Sequence, residues 1–255
     1  MAVAEFAARV RNGETVIGYW VVTDNPVGTE RLARVGYDYV ALDTQHGLIG
    51  YQGMLTGLLA IDASGSAVGV VRVEANHATA IGKALDAGAA AVIVPLINTA
   101  ADATAAVAAT RYPPAGIRSY GPMRSALRIG PTPAEVDESV LVFAMIETPQ
   151  GLANVEEIAA TPGLDGLYIG PSDLTLALGG QTSTDPAVAK EFDAALDRIR
   201  ASCDSNGIIP AIHTATGNLA QQRIAAGFRF VSVASDLTHL EATAKAHLTA
   251  AKEQA

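Results

Sequence analysis

Short apolar runs alternate with helical patterns along most of this chain. Eight runs rich in apolar or β-branched residues predict buried strands, and they cover 16–22, 39–43, 67–72, 91–95, 140–147, 166–169, 208–213 and 230–234. The stretches between them repeat apolar residues with helical spacing, which predicts helices that include 29–35, 52–62, 79–87, 151–160, 186–206 and 217–226.

The joins between these elements indicate how the strands are arranged. Several predicted helices stop at a glycine that also opens the next strand, as at Gly36, Gly88, Gly207 and Gly227, and such a glycine suits a left-handed helix cap. Strands that alternate with helices predict a parallel sheet. Eight such units favour a single (β/α)8 TIM barrel over 1–255 rather than an open doubly wound sheet, and 255 residues fit that barrel. Length alone would also permit two small domains.

Two segments interrupt this rhythm. Residues 111–140 are rich in Pro and Gly and are too long for a simple connector, and 179–185 form a second polar insertion. Long loops in compact domains are usually functional. We expect both to leave the fold on the side where the strands end, so that either could serve as a lid.

Composition excludes several classes of protein. The chain has 49% hydrophobic residues, 17% charged residues and a net charge of -9, which indicates a folded protein that would repel a nucleic-acid backbone. Cys203 is the single cysteine, which fits a reducing compartment. The first fifteen residues lack a signal-peptide apolar region, and the longest apolar stretch, 87–97, is too short to span a bilayer. The sequence therefore predicts a cytoplasmic protein without a membrane partner.

Two acids at the ends of successive predicted strands suggest a divalent-metal site. Glu147 closes the run 140–147, and Asp173 follows the run 166–169 on a Gly-Pro turn that opens a helix. Strands in a sheet lie about 4.8 Å apart, so one ion could bridge two neighbouring strand ends. If Phe143 and Met145 fill a barrel interior, strand alternation places Glu147 at its mouth. Alternatively, Asp173 caps its helix and Glu147 pairs with an arginine.

Other polar residues share these strand ends, where barrel enzymes carry their chemistry. Arg72 follows an apolar run and needs an anionic partner, either a substrate carboxylate or enolate or a structural acid such as Glu147 or Asp43. His46 lies beside Asp43 and Gln45 before a glycine turn, where a neutral imidazole could transfer protons. An ordinary surface histidine is the alternative. The same strand ends also carry Trp20, Ser172, His213 and Asp236.

The lysines argue against imine catalysis. A Schiff-base barrel enzyme needs a lysine directed into the mouth, but the four lysines, Lys83, Lys190, Lys245 and Lys252, all fall within helical stretches. If carbonyl chemistry occurs, its electron sink should be a metal ion.

Six motifs together resemble the HpcH/HpaI class II aldolase family from about residue 18 to 236. They are Asp43-Thr-Gln-His-Gly47, Val71-Arg72, Ala84-Leu-Asp-Ala-Gly-Ala89, Tyr112-Pro-Pro-Ala-Gly-Ile-Arg118, Ile146-Glu-Thr148 and Gly170-Pro-Ser-Asp-Leu174. The resemblance implies a barrel of the phosphoenolpyruvate/pyruvate type, assembled as a hexamer with exchanged C-terminal helices. It implies a Mg2+, Mn2+ or Co2+ ion and reversible cleavage of 4-hydroxy-2-oxo acids to pyruvate, or to hydroxypyruvate, and an aldehyde.

The resemblance also implies a role for each matching residue. Glu147 and Asp173 match the metal ligands, Arg72 the arginine that stabilises the enolate, and His46 the histidine of proton transfer. Asp86 matches an aspartate that reaches a neighbouring subunit's site. The backbone from Gly170 through Ser172 to Asp173 matches the cradle for the donor carboxylate, Trp20 and Arg118 the pocket lining, and Asp43 and Gln45 the supporting shell.

Two departures and two rival functions accompany this resemblance. Many members carry a glutamate in place of Gln45, and Ser172 replaces a commoner alanine, which would add a hydroxyl near the donor. The nearest rival is an acyl-CoA lyase of the citramalyl- or malyl-CoA type, against which the scarcity of lysine counts. A non-catalytic barrel that binds an acidic metabolite is the other.

Overall fold

The computed structural model describes residues 1–252, so the last three residues of the predicted 1–255 domain lie outside the described residues. The strands are β1 Val16–Val21, β2 Tyr39–Asp43, β3 Val68–Arg72, β4 Ala91–Val94, β5 Leu141–Ile146, β6 Gly166–Ile169, β7 Ile209–Thr214 and β8 Phe230–Ser235. The helices are α1 Val3–Arg11, α2 Pro26–Ala33, α3 Tyr51–Ser64, α4 Ala78–Asp86, α5 Ala100–Thr110, α6 Ser125–Arg128, α7 Pro133–Ser139, α8 Pro149–Ala153, α9 Val155–Ala159, α10 Pro171–Ala177, α11 Ala189–Asn206, α12 Gly217–Ala225 and α13 Asp236–Lys252.

The eight strands close into a parallel barrel. They pair in chain order, and β8 pairs with β1 to complete the ring. Each predicted strand is present with ends shifted by at most one residue, and the four glycines at the predicted helix-to-strand joins all have positive φ, between 65° and 122°. The predicted TIM barrel is therefore confirmed.

Strand alternation sorts side chains between two layers of the core. Phe143 and Met145 of β5 belong to the cluster that fills the barrel interior. Val142, Ala144 and Ile146 face the other way and pack in the layer between strands and helices. The alternation directs the residue after Ile146 toward the mouth of the barrel.

Helix α1 closes the opposite end of the barrel. Its Val3, Phe6 and Val10 are buried in the interior cluster, and the Phe6 ring packs 6.1 Å from Tyr39 and 6.3 Å from Phe230, centroid to centroid. Tyr39 and Phe230 begin their strands. Because this end is filled by a helix, the other end is the open mouth.

The long segment 111–140 does not have the predicted position. It follows α5 and leads into the start of β5, so it connects elements at the closed end of the barrel. Its α7 packs against α1, and Arg11 of α1 donates to the backbone carbonyl oxygens of Glu138 and Val140. The expectation that this segment leaves the side where strands end is therefore wrong. The second insertion, 179–185, lies between α10 and α11 in the connection after β6.

Two simpler expectations concern the cysteine and the bilayer. Burial raises the pKa of the Cys203 thiol to about 12, so the thiol stays protonated at neutral pH. Among residues 1–252, no helix is both long enough and apolar enough to cross a membrane.

Candidate active site

A cavity of about 260 Å³ opens at the mouth of the barrel. It is lined by Trp20, Val22, His46, Arg72, Met145, Gly170, Pro171, Ser172, Asp173, His213 and Ser235. These residues lie at or just beyond the carboxyl ends of the strands. Six of the predicted site residues thus share one cavity: Trp20, His46, Arg72, Gly170, Ser172 and Asp173.

Asp43 holds one side of this cavity together. Its Oδ1 accepts from Arg72 Nε at 2.9 Å and from the backbone N–H groups of Gln45 at 3.0 Å and His46 at 3.1 Å. Its Oδ2 accepts from Arg72 Nη2 and from Trp20 Nε1. Asp43 therefore fixes the Arg72 guanidinium, the Trp20 ring and the loop that carries His46.

The carboxyl of Asp43 is stabilised as the anion. Burial alone would raise its pKa, but the hydrogen bonds and charge of Arg72, with smaller contributions from the His46 N–H and Trp20, outweigh burial and lower the pKa. Of the two structural acids considered as partners for Arg72, Glu147 and Asp43, the observed partner is Asp43. The two-pronged contact with Asp43 uses Nε and Nη2 of the guanidinium and leaves Nη1 as its third nitrogen.

Glu147 stands at the end of β5 as a buried carboxylate. Its Oε1 accepts from the backbone N–H of Leu96 at 2.9 Å, and Leu96 has φ of 56°, a left-handed conformation that is strained for leucine. Burial raises the pKa of Glu147, the Leu96 N–H opposes that rise, and the nearby Asp173 carboxylate adds to it. The two carboxylates are therefore close enough for the charge of Asp173 to affect the protonation of Glu147.

The structural alternatives for these two acids are not found. The N-cap of α10 is Gly170, without a side-chain cap bond, so Asp173 lies in the first turn and does not cap the helix. Glu147 forms no salt bridge within residues 1–252, since the nearby Arg72 binds Asp43, and its hydrogen-bond donor is the Leu96 N–H. No cluster of three or more His, Cys, Asp or Glu side chains suited to a metal occurs in this part of the chain. The pair supplies two carboxylates.

Gly170 provides the space that Glu147 occupies. A Cβ placed on Gly170 would lie 2.6 Å from Glu147 Oε2 and 2.8 Å from Met145 Cε. Any side chain here would push the carboxylate out of its position. The glycine after β6 thus shapes the acidic pair, and the sequence motif Gly-Pro-Ser-Asp places Asp173 three residues later.

Asp86 and Arg118 lie outside this cavity. Asp86 is the last residue of α4, a helix that leads down to the start of β4, and its Oδ1 accepts from Arg118 Nη2 at 2.7 Å. Arg118 is buried, with its guanidinium 4.6 Å from the Tyr112 ring centroid. The predicted place of Arg118 in the pocket is therefore not found within one chain, because α4 carries its partner away from the mouth. A role for Asp86 in a neighbouring subunit stays a prediction.

Two further residues considered from sequence, Gln45 and Asp236, do not line the cavity. Gln45 does not line the cavity, and its Oε1 is buried without a hydrogen-bond partner in residues 1–252. Asp236 joins β1 to α13 by accepting from the backbone N–H groups of Val22 and Thr23, which is a structural contact.

His213 is a histidine of the cavity for which the sequence suggested no role. Its ring meets Trp20 edge-on, with centroids 5.3 Å apart and planes at 67°. Burial, followed by the positive charge of Arg72, lowers the pKa of His213 to about 4, so the ring is neutral at pH 7. The only sequence signal was its position at the end of β7.

Comparisons with known proteins identify the family of this chain. The family model described as HpcH/HpaI aldolase/citrate lyase matches residues 16–242. A hydroxypyruvate/pyruvate aldolase of Rhizorhabdus wittichii is 38% identical over 234 residues, covering 91% of this chain and 92% of the relative. A 4-hydroxy-2-oxovalerate aldolase of Rhodococcus jostii is 37% identical over 251 residues, covering 96% and 94%.

The fold is also similar to that of a solved structure. The crystal structure of an HpcH/HpaI aldolase/citrate lyase family protein from Burkholderia cenocepacia superimposes with a TM-score of 0.89 at 30% identity, covering 98% of this chain and 99% of that one. The family resemblance and the predicted class of carbon–carbon lyase are thus confirmed, and the chain belongs to the HpcH/HpaI aldolase/citrate lyase family.

Proposed function

We propose that the protein is a divalent-metal-dependent aldolase that reversibly cleaves 4-hydroxy-2-oxo acids to pyruvate or hydroxypyruvate and an aldehyde. The observation that carries the proposal is the pairing of Glu147 with Asp173 beside a cavity whose Arg72 is held rigidly by Asp43. The aldolase relatives, whose names include hydroxypyruvate, pyruvate and 4-hydroxy-2-oxovalerate, support the class of substrate.

The acidic pair fits a hard divalent cation. The Asp173 carboxylate raises the pKa of the buried Glu147, so a cation between the two acids would relieve their repulsion. Gly170 has no side chain, which leaves the space beside Glu147 Oε2 open. Carboxylate oxygens are the ligands that Mg2+ and Mn2+ prefer. Glu147 and Asp173 would hold the ion, which when bound would act as a Lewis acid toward the 2-oxo acid.

Arg72 supplies a preoriented positive charge at the reacting carbonyl. Asp43 occupies two of its nitrogens, so Nη1 is the donor left for a substrate oxygen. In cleavage the 4-hydroxyl loses its proton, the C3–C4 bond breaks, the aldehyde departs, and the enolate of the 2-oxo acid takes up a proton at C3. A charge already in place where the enolate forms costs no reorganisation during the reaction.

His46 is the proposed proton carrier. It lines the cavity, and Asp43 fixes its backbone through the His46 N–H. A neutral imidazole can accept the hydroxyl proton and return it. Asp86 of a neighbouring subunit is the predicted partner of this histidine. The backbone of Ser172 and Asp173, in the first turn of α10, is the proposed cradle for the donor carboxylate.

We infer from the exposed surface of helix α13 that subunits associate, in support of the predicted hexamer. Helix α13 has no buried residue in the single chain, and its Leu240 and Leu248 are exposed. Exposed apolar side chains on this helix support its exchange with another subunit. The cytoplasmic location stays a prediction of the sequence.

The charges that line the cavity support the proposed substrates over the rival acyl-CoA thioesters. A nucleotide tail needs basic groups, but Arg72 is the single lysine or arginine among the cavity-lining residues, and Asp43 already binds it. A non-catalytic barrel would bind a 2-oxo acid without labilising its protons. Exchange of solvent deuterium into pyruvate therefore separates an aldolase from a binding protein.

The experiment that tests the proposal is a panel of aldehydes assayed with pyruvate and with hydroxypyruvate, each with Mg2+, Mn2+ or Co2+. We expect aldol addition with at least one pair and deuterium exchange into pyruvate without any aldehyde. Absence of both reactions under every metal would refute the proposed function.

A further inference from the structure

His213 presents a polar ring to the cavity without a protein partner. It is carried by β7, on the wall between β6 and β8, and it lines the same cavity as Trp20 and Arg72. Its Nδ1 is buried and has no hydrogen-bond partner within residues 1–252. Buried polar atoms in folded proteins are nearly always hydrogen-bonded, so the fold leaves this ring unsatisfied. Nδ1 is closed off from the cavity, so a ligand there would meet the other ring nitrogen, Nε2, which also has no hydrogen-bond partner within residues 1–252.

Most of the other polar side chains of this cavity are already engaged or assigned. Arg72 is bound by Asp43, Asp173 belongs to the acidic pair, and the Ser235 hydroxyl is hydrogen-bonded to Thr238 at 2.7 Å. His213 instead packs its ring against Trp20. It is therefore a fixed polar group with hydrogen-bonding capacity that neither the fold nor the proposed chemistry uses.

The chemistry of the ring indicates what it binds. A neutral imidazole has one N–H donor and one nitrogen acceptor, and the surroundings of His213 keep the ring neutral at pH 7. A hydroxyl can donate and accept, so it fits either tautomer. A carboxylate can only accept and is better served by Arg72.

We propose that His213 is a specificity-determining residue that hydrogen-bonds a hydroxyl group of the substrate and so favours hydroxylated substrates over hydroxyl-free ones. The inference rests on the proposed aldolase function. The hydroxyl belongs either to the donor, as in hydroxypyruvate, or to the aldehyde, as in glycolaldehyde, and two arms of one experiment distinguish these sources.

The test compares wild type with His213→Phe, which keeps an aromatic ring against Trp20 but removes both nitrogens. One arm measures kcat/KM for glycolaldehyde and for acetaldehyde with pyruvate as the donor. The other measures hydroxypyruvate and pyruvate with acetaldehyde as the acceptor. Loss of one hydrogen bond to a substrate should lower the preference for the hydroxylated partner about tenfold in one arm.

Two further variants separate recognition from packing. His213→Gln restores a side chain that both donates and accepts, so it should recover part of the preference. His77→Phe makes the same exchange at an exposed position that does not line the cavity, and it should leave both ratios unchanged. A uniform fall in activity with unchanged ratios, or no change in either arm, would overturn the proposal.

Deuterium exchange into pyruvate keeps this test independent of the proposed function. Pyruvate has no hydroxyl, so any change in the exchange rate of His213→Phe should be smaller than the tenfold change in preference expected for recognition. If wild type itself shows neither exchange nor aldol addition, the aldolase proposal fails instead. If exchange is intact and hydroxyl preference is unaffected, only the role of His213 fails.

Discussion

Replacing Gly170 by alanine perturbs the acidic pair without removing any functional group. The added Cβ would lie 2.6 Å from Glu147 Oε2, which is 0.8 Å short of the 3.4 Å at which ordinary contact begins. Met145 Cε, at 2.8 Å, is the end of a flexible side chain and can move aside. The carboxylate has less freedom, because the Leu96 N–H holds its other oxygen.

The size of this displacement sets the expected effect. Protein–metal distances tolerate deviations of about 0.2 Å, and a shift of 0.8 Å is several times larger. We expect Gly170→Ala to weaken Mn2+ binding roughly 10- to 100-fold and to lower kcat/KM about a hundredfold. Overpacking should also reduce the free energy of unfolding by about 1–3 kcal/mol.

The assay is calorimetric titration with Mn2+ together with steady-state aldol cleavage. Gly217→Ala is the matched control, because Gly217 also opens a helix after a strand and a Cβ there meets no heavy atom within 4 Å. That variant should bind Mn2+ and turn over as wild type does. If Gly170→Ala retains wild-type affinity and turnover, the inferred position of Glu147 as a ligand is refuted.

Three other substitutions test separate parts of the account. Arg72→Lys should lower kcat/KM more than a hundredfold, because an ammonium group cannot bind Asp43 through two nitrogens and still reach a substrate; wild-type turnover would remove Arg72 from the mechanism. Because the folded-state pKa of Asp43 is lowered, its anion stabilises the fold above about pH 4, and this contribution is lost as pH falls through the lowered pKa. The difference in melting temperature between wild type and Asp43→Asn should therefore shrink between pH 6 and pH 3, and a constant difference would contradict it. Ser232→Ala should lower the free energy of unfolding, measured in urea, by about 2–4 kcal/mol. Tyr39 and Tyr168 both hydrogen-bond to the Ser232 hydroxyl, and the substitution would leave both phenols unpaired in the core. A loss below about 0.5 kcal/mol would contradict this prediction.

The strands were predictable from sequence because a barrel buries both faces of each strand. That burial imposes apolar runs with clear ends, as in β5 and β6. Helix α5 gave no comparable signal, because Ala100–Thr110 is mostly alanine and threonine and its buried and exposed faces look alike. Helix α1 is short, and its buried apolar side chains are explained only by the barrel interior that they cover at the end where the strands begin.

The site residues that could be predicted from sequence are those that lie at the end of a strand. Asp43 and Arg72 end β2 and β3, and Glu147 directly follows β5, so one rule brings them together. Arg118 was predicted from the family resemblance and not from this rule. It lies in a connection to the start of β5, and its position depends on packing between distant segments. The hydrogen-bonding state of His213 depends on which neighbours surround its ring, and no sequence pattern records that.

The rate of solvent deuterium exchange into the methyl group of pyruvate, followed by NMR, tests the central claim most directly. It should be measured in chelator-treated enzyme before and after addition of Mg2+ or Mn2+, in wild type and in Glu147→Gln. The account predicts that exchange is lost on chelation, returns with metal in wild type, and does not return in Glu147→Gln. Exchange at the full rate in metal-free wild-type enzyme would contradict it.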